Sequence, residues 1–146
     1  MKKFVLVVVA IFCLWSVAQA QTTSKRKAVN TGTPNGTFSS AIVAGNLVFT
    51  SGQIGFDAKS GQMAEGMEAQ LEQVFRNLTA VLEASGSSID HVVKATVFLA
   101  DMNDYNKMNE LYRAKFKGDP PARSTVQVAR LPRDARIEIE VVAVLK

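Results

Sequence analysis

The segment Val92 to Ala100, which reads Val-Val-Lys-Ala-Thr-Val-Phe-Leu-Ala, narrows the possible folds most. It is β-branched or apolar at nearly every residue. That is the pattern of a strand buried on both faces. Such a strand lies inside a sheet and needs other layers to cover it. The flanking sequence supplies them. Met67, Leu71, Val74, Phe75, Leu78, Val81 and Leu82 recur at helical spacing. They predict a helix from about Met63 to Ser85, with Gly86 just past its C-cap. A second helix is expected from Asn103 or Asp104, either of which can cap it. Tyr105, Met108, Tyr112 and Phe116 form its inner stripe, and Gly118-Asp119-Pro120-Pro121 ends it.

Four further strands complete the pattern. Ala41 to Ala44 and Leu47 to Thr50 form a hairpin across Gly45-Asn46. Arg123 to Ala129 and Arg136 to Leu145 are joined by Arg130 to Ala135, and Ile137, Ile139 and Val141 alternate with Glu138, Glu140 and Val142. The order is ββαβαββ, which predicts an α+β fold with one sheet and both helices on one face. Two helices cover only one side of five strands. Val126, Val128, Val142 and Val144 are too apolar for a free solvent face, so that face is expected to pack against other subunits.

The ends of the chain differ from its body. Lys2 and Lys3, the apolar run Phe4 to Val17 and Ala18-Gln19-Ala20 make the three-part pattern of a secretory signal peptide over residues 1–20. The apolar run is about 14 residues, short of the roughly 20 a membrane helix needs. The expectation is an exported chain, periplasmic or secreted, with no membrane association after cleavage. Residues 21–29 read as a polar leader within a polar stretch that runs to residue 37, and residues 30–146 as the domain. The only cysteine, Cys13, leaves with the signal, so the mature chain has no disulfide and no thiol nucleophile. The whole chain has 17 Lys and Arg against 13 Asp and Glu, but from Ala28 onward the count is 12 against 13. The basic excess belongs to the ends, which argues against nucleic acid as a partner.

Much chemistry is excluded. His91 is the only histidine. No His/Cys cluster, HExxH, phosphate-binding glycine loop or G-x-S-x-G elbow is present, so neither a metal nor a nucleotide cofactor is expected. Two charged residues within strands stand out. Arg123 begins a strand behind two prolines and has the fork to grip a carboxylate. Glu138 lies between two isoleucines. A symmetric hairpin over residues 130–135 would set Glu138 opposite Gln127 and Arg123 opposite Val142, all on one face. Arg123 and Glu138 would then stand roughly 13 Å apart. That is too far to share one small ligand within a chain, and it implies that a neighbouring subunit completes the pocket.

These residues resemble a known family. Thr50-Ser51-Gly52-Gln53-Ile54 is similar to a strand end of the RidA/YjgF imine deaminases. Pro121-Ala122-Arg123-Ser124, Val128-Ala129-Arg130-Leu131-Pro132 and Ile137-Glu138-Ile139-Glu140 look like their C-terminal signature. The resemblance spans about Asn30 to Lys146. It implies a chorismate-mutase-like fold and a homotrimer with sheets facing inward and sites in the clefts between subunits. It also implies cofactor-free hydrolysis of 2-imino acids and their enamine tautomers to 2-keto acids and ammonia. By position, Arg123 would hold the substrate carboxylate and Glu138 the attacking water. Phe38, Ser51, Gly52, Asn103 and Thr125 would border the substrate. Two positions depart from the pattern: Phe38 stands where many members carry a tyrosine, and Thr125 where many carry a cysteine. Both favour an alternative, a trimeric module that binds small carboxylates without turnover. A third reading, RNA cleavage, finds no histidine pair to perform it.

Overall fold

In the computed structural model, residues 25–31 and 36–146 are described. The predicted signal peptide lies outside them. One sheet dominates, with strands β1 (Lys27–Val29), β2 (Ala41–Ala44), β3 (Leu47–Thr50), β4 (Gln53–Ile54), β7 (Val92–Leu99), β8 (Ala122–Gln127) and β9 (Ile137–Val144). A small hairpin, β5 (Phe56–Asp57) with β6 (Gln62–Met63), stands apart. The helices are α1 (Gly66–Ala84) and α2 (Tyr105–Arg113). Beyond the sequence expectation, Lys27–Val29 leaves the polar leader to pair with β2 as an edge strand.

The sheet order is β1-β2-β3-β9-β7-β8, with β4 also pairing with β9. This overturns the expected hairpin of the last two strands. β8 lies parallel to β7, whereas β9 lies antiparallel to β7 and to β3. The apolar chemistry of β9 explains the choice. Ile137, Ile139, Val141 and Ala143 are all buried, and a centre position places them in the core under α1. The exposed β8, which has no such run, takes the edge.

The helices pack on one face, as predicted. Leu71, Val74, Leu78, Val81 and Leu82 of α1 and Met108 and Tyr112 of α2 meet Ala95, Val97 and Leu99 of β7 in a single core. Phe75, Tyr112 and Phe116 form an aromatic cluster with centroids 5.0 to 5.9 Å apart. Gly86 has φ of 83° just past α1, the left-handed conformation expected of that position. The capping of α2 differs from expectation. Asp104 makes no side-chain cap bond, and Asp101 caps the preceding 3-10 turn (Met102–Asp104) by accepting from the Asn103 amide at 2.9 Å.

The second face is where β7 departs from its sequence pattern. Val93 is 46% exposed, and Lys94, Thr96 and Phe98 are only partly covered. Phe49 at 42% and Val126 at 44% lie open with them. The strand is doubly apolar, yet one protomer covers it on one side only. The expectation that further copies cover this face therefore keeps its physical motive.

Candidate active site

The Thr-Ser-Gly-Gln segment makes a jog in the sheet. β3 pairs with the end of β9 from Leu47↔Val144 to Phe49↔Val142. The chain then steps out and returns as β4, pairing Gln53↔Ile139 and Ile54↔Glu138. At the step, Thr50 Oγ1 accepts the Val141 amide at 3.0 Å and so satisfies a ladder donor. The Ser51 amide turns to the Ser40 carbonyl at 2.9 Å, and its hydroxyl donates to the Ser39 carbonyl at 2.7 Å. Ser51 thus ties down the segment that carries Phe38, a residue that is 61% exposed.

Gly52 occupies the floor of the jog, directly against Glu138. A Cβ on Gly52 would fall 2.7 Å from Glu138 Cδ, so a side chain there would have to move the carboxylate from this seat. Burial pushes the Glu138 carboxyl above its ordinary value of 4.5, and the Glu140 charge on the same strand face adds to the effect. Phe38, Ser51, Gly52 and Glu138 therefore form one group, on the jog and the open face.

Arg123 belongs to a different group. It registers with Ala95, and Ala95 registers with Val141; both partners face the helices. Arg123 consequently points under α2. Its guanidinium sits 4.7 Å from the Tyr112 ring centroid and 5.9 Å from that of Tyr105, and it donates to Asn109 Oδ1. These stacking and hydrogen-bond contacts hold the fork from one helix. Tyr105, Asn109 and Tyr112 escaped the sequence reading as site residues. Their i, i+4, i+7 spacing on one helix face is the available signal; Tyr105 and Tyr112 figure in the sequence only as part of the inner stripe, and Asn109 not at all. Thr125 lies two residues along the same face of β8. Its Oγ1 and the Tyr112 hydroxyl are both buried without a hydrogen-bond partner. Burial pushes the Tyr112 phenol up to about 12, against the opposing pull of Arg123. Asn103 is exposed near the far end of β8, where the Met102 amide donates to Gln127 Oε1 at 2.8 Å.

The predicted register of Arg123 and Glu138 is thus corrected. Glu138 registers with Phe98, which registers with Val126, on the open face, whereas Arg123 lies on the helix face. They stand two strands and three residues apart, about 14 Å between Cα atoms. The conclusion that one chain cannot bring both to one small ligand stands on firmer ground than the hairpin offered. A shallow cavity of about 150 Å³ on the open face is lined by Phe49, Thr50, Lys94, Thr96 and Glu140. A larger groove of about 560 Å³ runs along Glu72, Phe75 and Arg76 to Lys115, and none of the residues named in either group lines it. Among the described residues, no three His, Asp or Glu side chains gather as a metal site would require.

Comparison with known proteins places these features. The family model described as Endoribonuclease L-PSP matches residues 29–145. A RutC family protein of Pyrococcus horikoshii is 49% identical over 115 residues, covering 78% of this chain and 91% of that protein. The human 2-iminobutanoate/2-iminopropanoate deaminase is 46% identical over 110 residues, covering 75% of this chain and 80% of that protein. The crystal structure of the YjgF gene product of E. coli superposes with a TM-score of 0.77 at 38% identity, covering 82% of this chain and 99% of that one. The α+β order, the sheet with both helices on one face and the matches from residue 29 to residue 145 agree: the chain belongs to the RidA/YjgF family.

Proposed function

We propose that this protein is a cofactor-free deaminase that hydrolyses 2-imino acids such as 2-iminopropanoate and 2-iminobutanoate, with their enamine tautomers, to 2-keto acids and ammonia. The observation that carries the reading is Glu138, a half-buried carboxylate seated on Gly52, with its proton affinity raised by burial. Relatives of this chain named as deaminases of these substrates support it. A protonated imine carbon is already electrophilic, so the protein has two tasks. It must fix the substrate, and it must deliver a water. Arg123 would pair with the substrate carboxylate through its fork. Glu138, ionised, would accept a proton from water as its oxygen bonds to the imine carbon, giving a carbinolamine. Glu138 then returns that proton to the nitrogen and, as the C–N bond breaks, takes the proton of the carbinolamine hydroxyl; the keto group remains, and that last proton leaves with ammonia as ammonium.

The two groups lie on opposite faces of one protomer's sheet. We therefore read the site as shared: Arg123, Thr125 and Asn103 of one copy face Glu138, Gly52, Ser51 and Phe38 of another. A homotrimer with its open sheet faces inward provides such clefts and also covers Val93, Phe49 and Val126. Export by residues 1–20 is part of the same proposal. Mass spectrometry of the purified protein should find Gln21 at the N-terminus, and an intact Met1 would remove it.

The alternative, a module that binds small carboxylates without turnover, draws on Phe38 and Thr125, which lack the usual hydroxyl and thiol. RNA cleavage has less support. The sole histidine, His91, has its Nδ1 engaged with Ser88 Oγ at 2.8 Å, and no second imidazole exists to share acid and base roles. The deciding experiment is keto-acid release from imines generated in place by an amino-acid oxidase. Release above the spontaneous rate, lost in Arg123→Ala, is the result expected of a deaminase. Carboxylate binding with no acceleration would establish the binding module instead.

A further inference from the structure

Arg136 joins three elements that the site depends on. Its amide donates to Gln70 Oε1 of α1 at 2.8 Å, and its carbonyl accepts from Ala100, just past β7, at 3.0 Å. Its guanidinium grips the Asp104 carboxylate with contacts of 2.8, 2.8 and 3.1 Å. Asp104 is only 16% exposed. The geometry is bidentate and one partner is largely withdrawn from water, so the pair is better fixed than a loose surface ion pair.

Its place in the fold matters more than its strength. Asp104 follows Asn103 and immediately precedes Tyr105, the first residue of α2. That helix carries Tyr105, Asn109 and Tyr112, the contacts of Arg123. Arg136 precedes Glu138 by two residues. Gln70, which anchors the Arg136 amide, also packs against Gly55, where a Cβ would come within 2.6 Å of its side chain. Gly55 follows Ile54, the register partner of Glu138. The Asp104 carboxylate makes no cap bond to α2, so capping does not account for it.

We propose that the Arg136–Asp104 pair is a positioning strut, which holds the helix that grips Arg123 at a set distance from the strand that presents Glu138. The proposal rests on the shared-site reading. Each protomer gives its Arg123 group to one cleft and its Glu138 group to another, and the strut fixes how one protomer spans the two. Neither residue touches substrate. Both act through the groups they hold.

The test is a double-mutant cycle on the whole protein, with Asp104→Asn, Arg136→Gln and the two combined. Each single variant should lower kcat/KM about tenfold, mostly through KM, because misplacement of a binding group by a fraction of an ångström is costly. The double variant should be no worse than either single, because one interaction is lost in all three. Asp104→Glu should recover part of the loss. Calorimetric titration with pyruvate reads the strut without turnover and should show weaker binding in the same three proteins. A fall in melting temperature with unchanged kcat/KM and unchanged pyruvate affinity would overturn the strut, as would additive losses in the double variant. A wild-type protein that binds pyruvate but releases no keto acid would end the deaminase reading alone. The strut would then be judged on pyruvate affinity.

Discussion

Glu138 and Arg123 are held by different means. Glu138 stands on β9, which has strand neighbours along both edges, so ladder hydrogen bonds fix its backbone and Gly52 shapes the space for its side chain. Arg123 stands on β8, an edge strand with one partner, and its guanidinium is placed by side chains of α2. Under the proposed mechanism, a carboxylate that holds a water would gain from a rigid seat. An arginine that receives a charged substrate would gain from aromatic faces and an amide that orient its guanidinium at the edge. The two halves should therefore fail in different ways.

The largest expected effect tests the rigid half. Glu138→Gln should cut kcat by about 100-fold to 10,000-fold, the usual range for loss of a general base. Pyruvate affinity should change little. Equal losses in kcat and in affinity would erase the proposed division of labour. Gly52→Ala comes next, at about 100-fold in kcat, since the new methyl group must displace the Glu138 side chain. The matched control is Gly118→Ala, where no atom lies within 4 Å of the added carbon. It should leave activity unchanged.

The smallest effect concerns stability. The folded protein raises the proton affinity of Glu138. In the window from the ordinary value of 4.5 up through the raised one, the folded state binds more protons than the unfolded state. Stability from this group is then complete below the window and lost as pH rises through it. The melting temperature of wild type minus that of Glu138→Gln should decline across the window. A difference that is flat or rises with pH would contradict the burial argument. Activity should show the opposite trend, since the ionised form is the base: kcat/KM should fall as pH drops through the same range.

Much of the fold was legible in the sequence because its signals are local. The period of Met67 to Leu82 marked α1, Gly45-Asn46 the first hairpin, and the alternation of Ile137, Ile139 and Val141 the buried face of β9. The strand Lys27–Val29 was missed because it is only three residues long, its pairing with β2 is non-local, and it sits at the end of a polar stretch. The last two strands were wrongly joined because a short connection between strands usually means a hairpin, and nothing local signals that β9 inserts between β3 and β7. The error carried into the site by putting Arg123 and Glu138 on one face. Arg123 and Glu138 were singled out as charged residues within strands, and their wide separation was anticipated despite the wrong register.

The sequence by itself determined the two helices and the five longer strands, the apolar face that the helices cover, and which charged groups stand within those strands, because periodicity and side-chain chemistry are properties of neighbouring residues. Only the tertiary structure decided the strand order, the opposite facing of Arg123 and Glu138, the seat that Gly52 makes and the grip of Tyr112 and Asn109 on the guanidinium. Those depend on which distant segments bury one another most completely, and that competition is settled by packing the whole sheet at once.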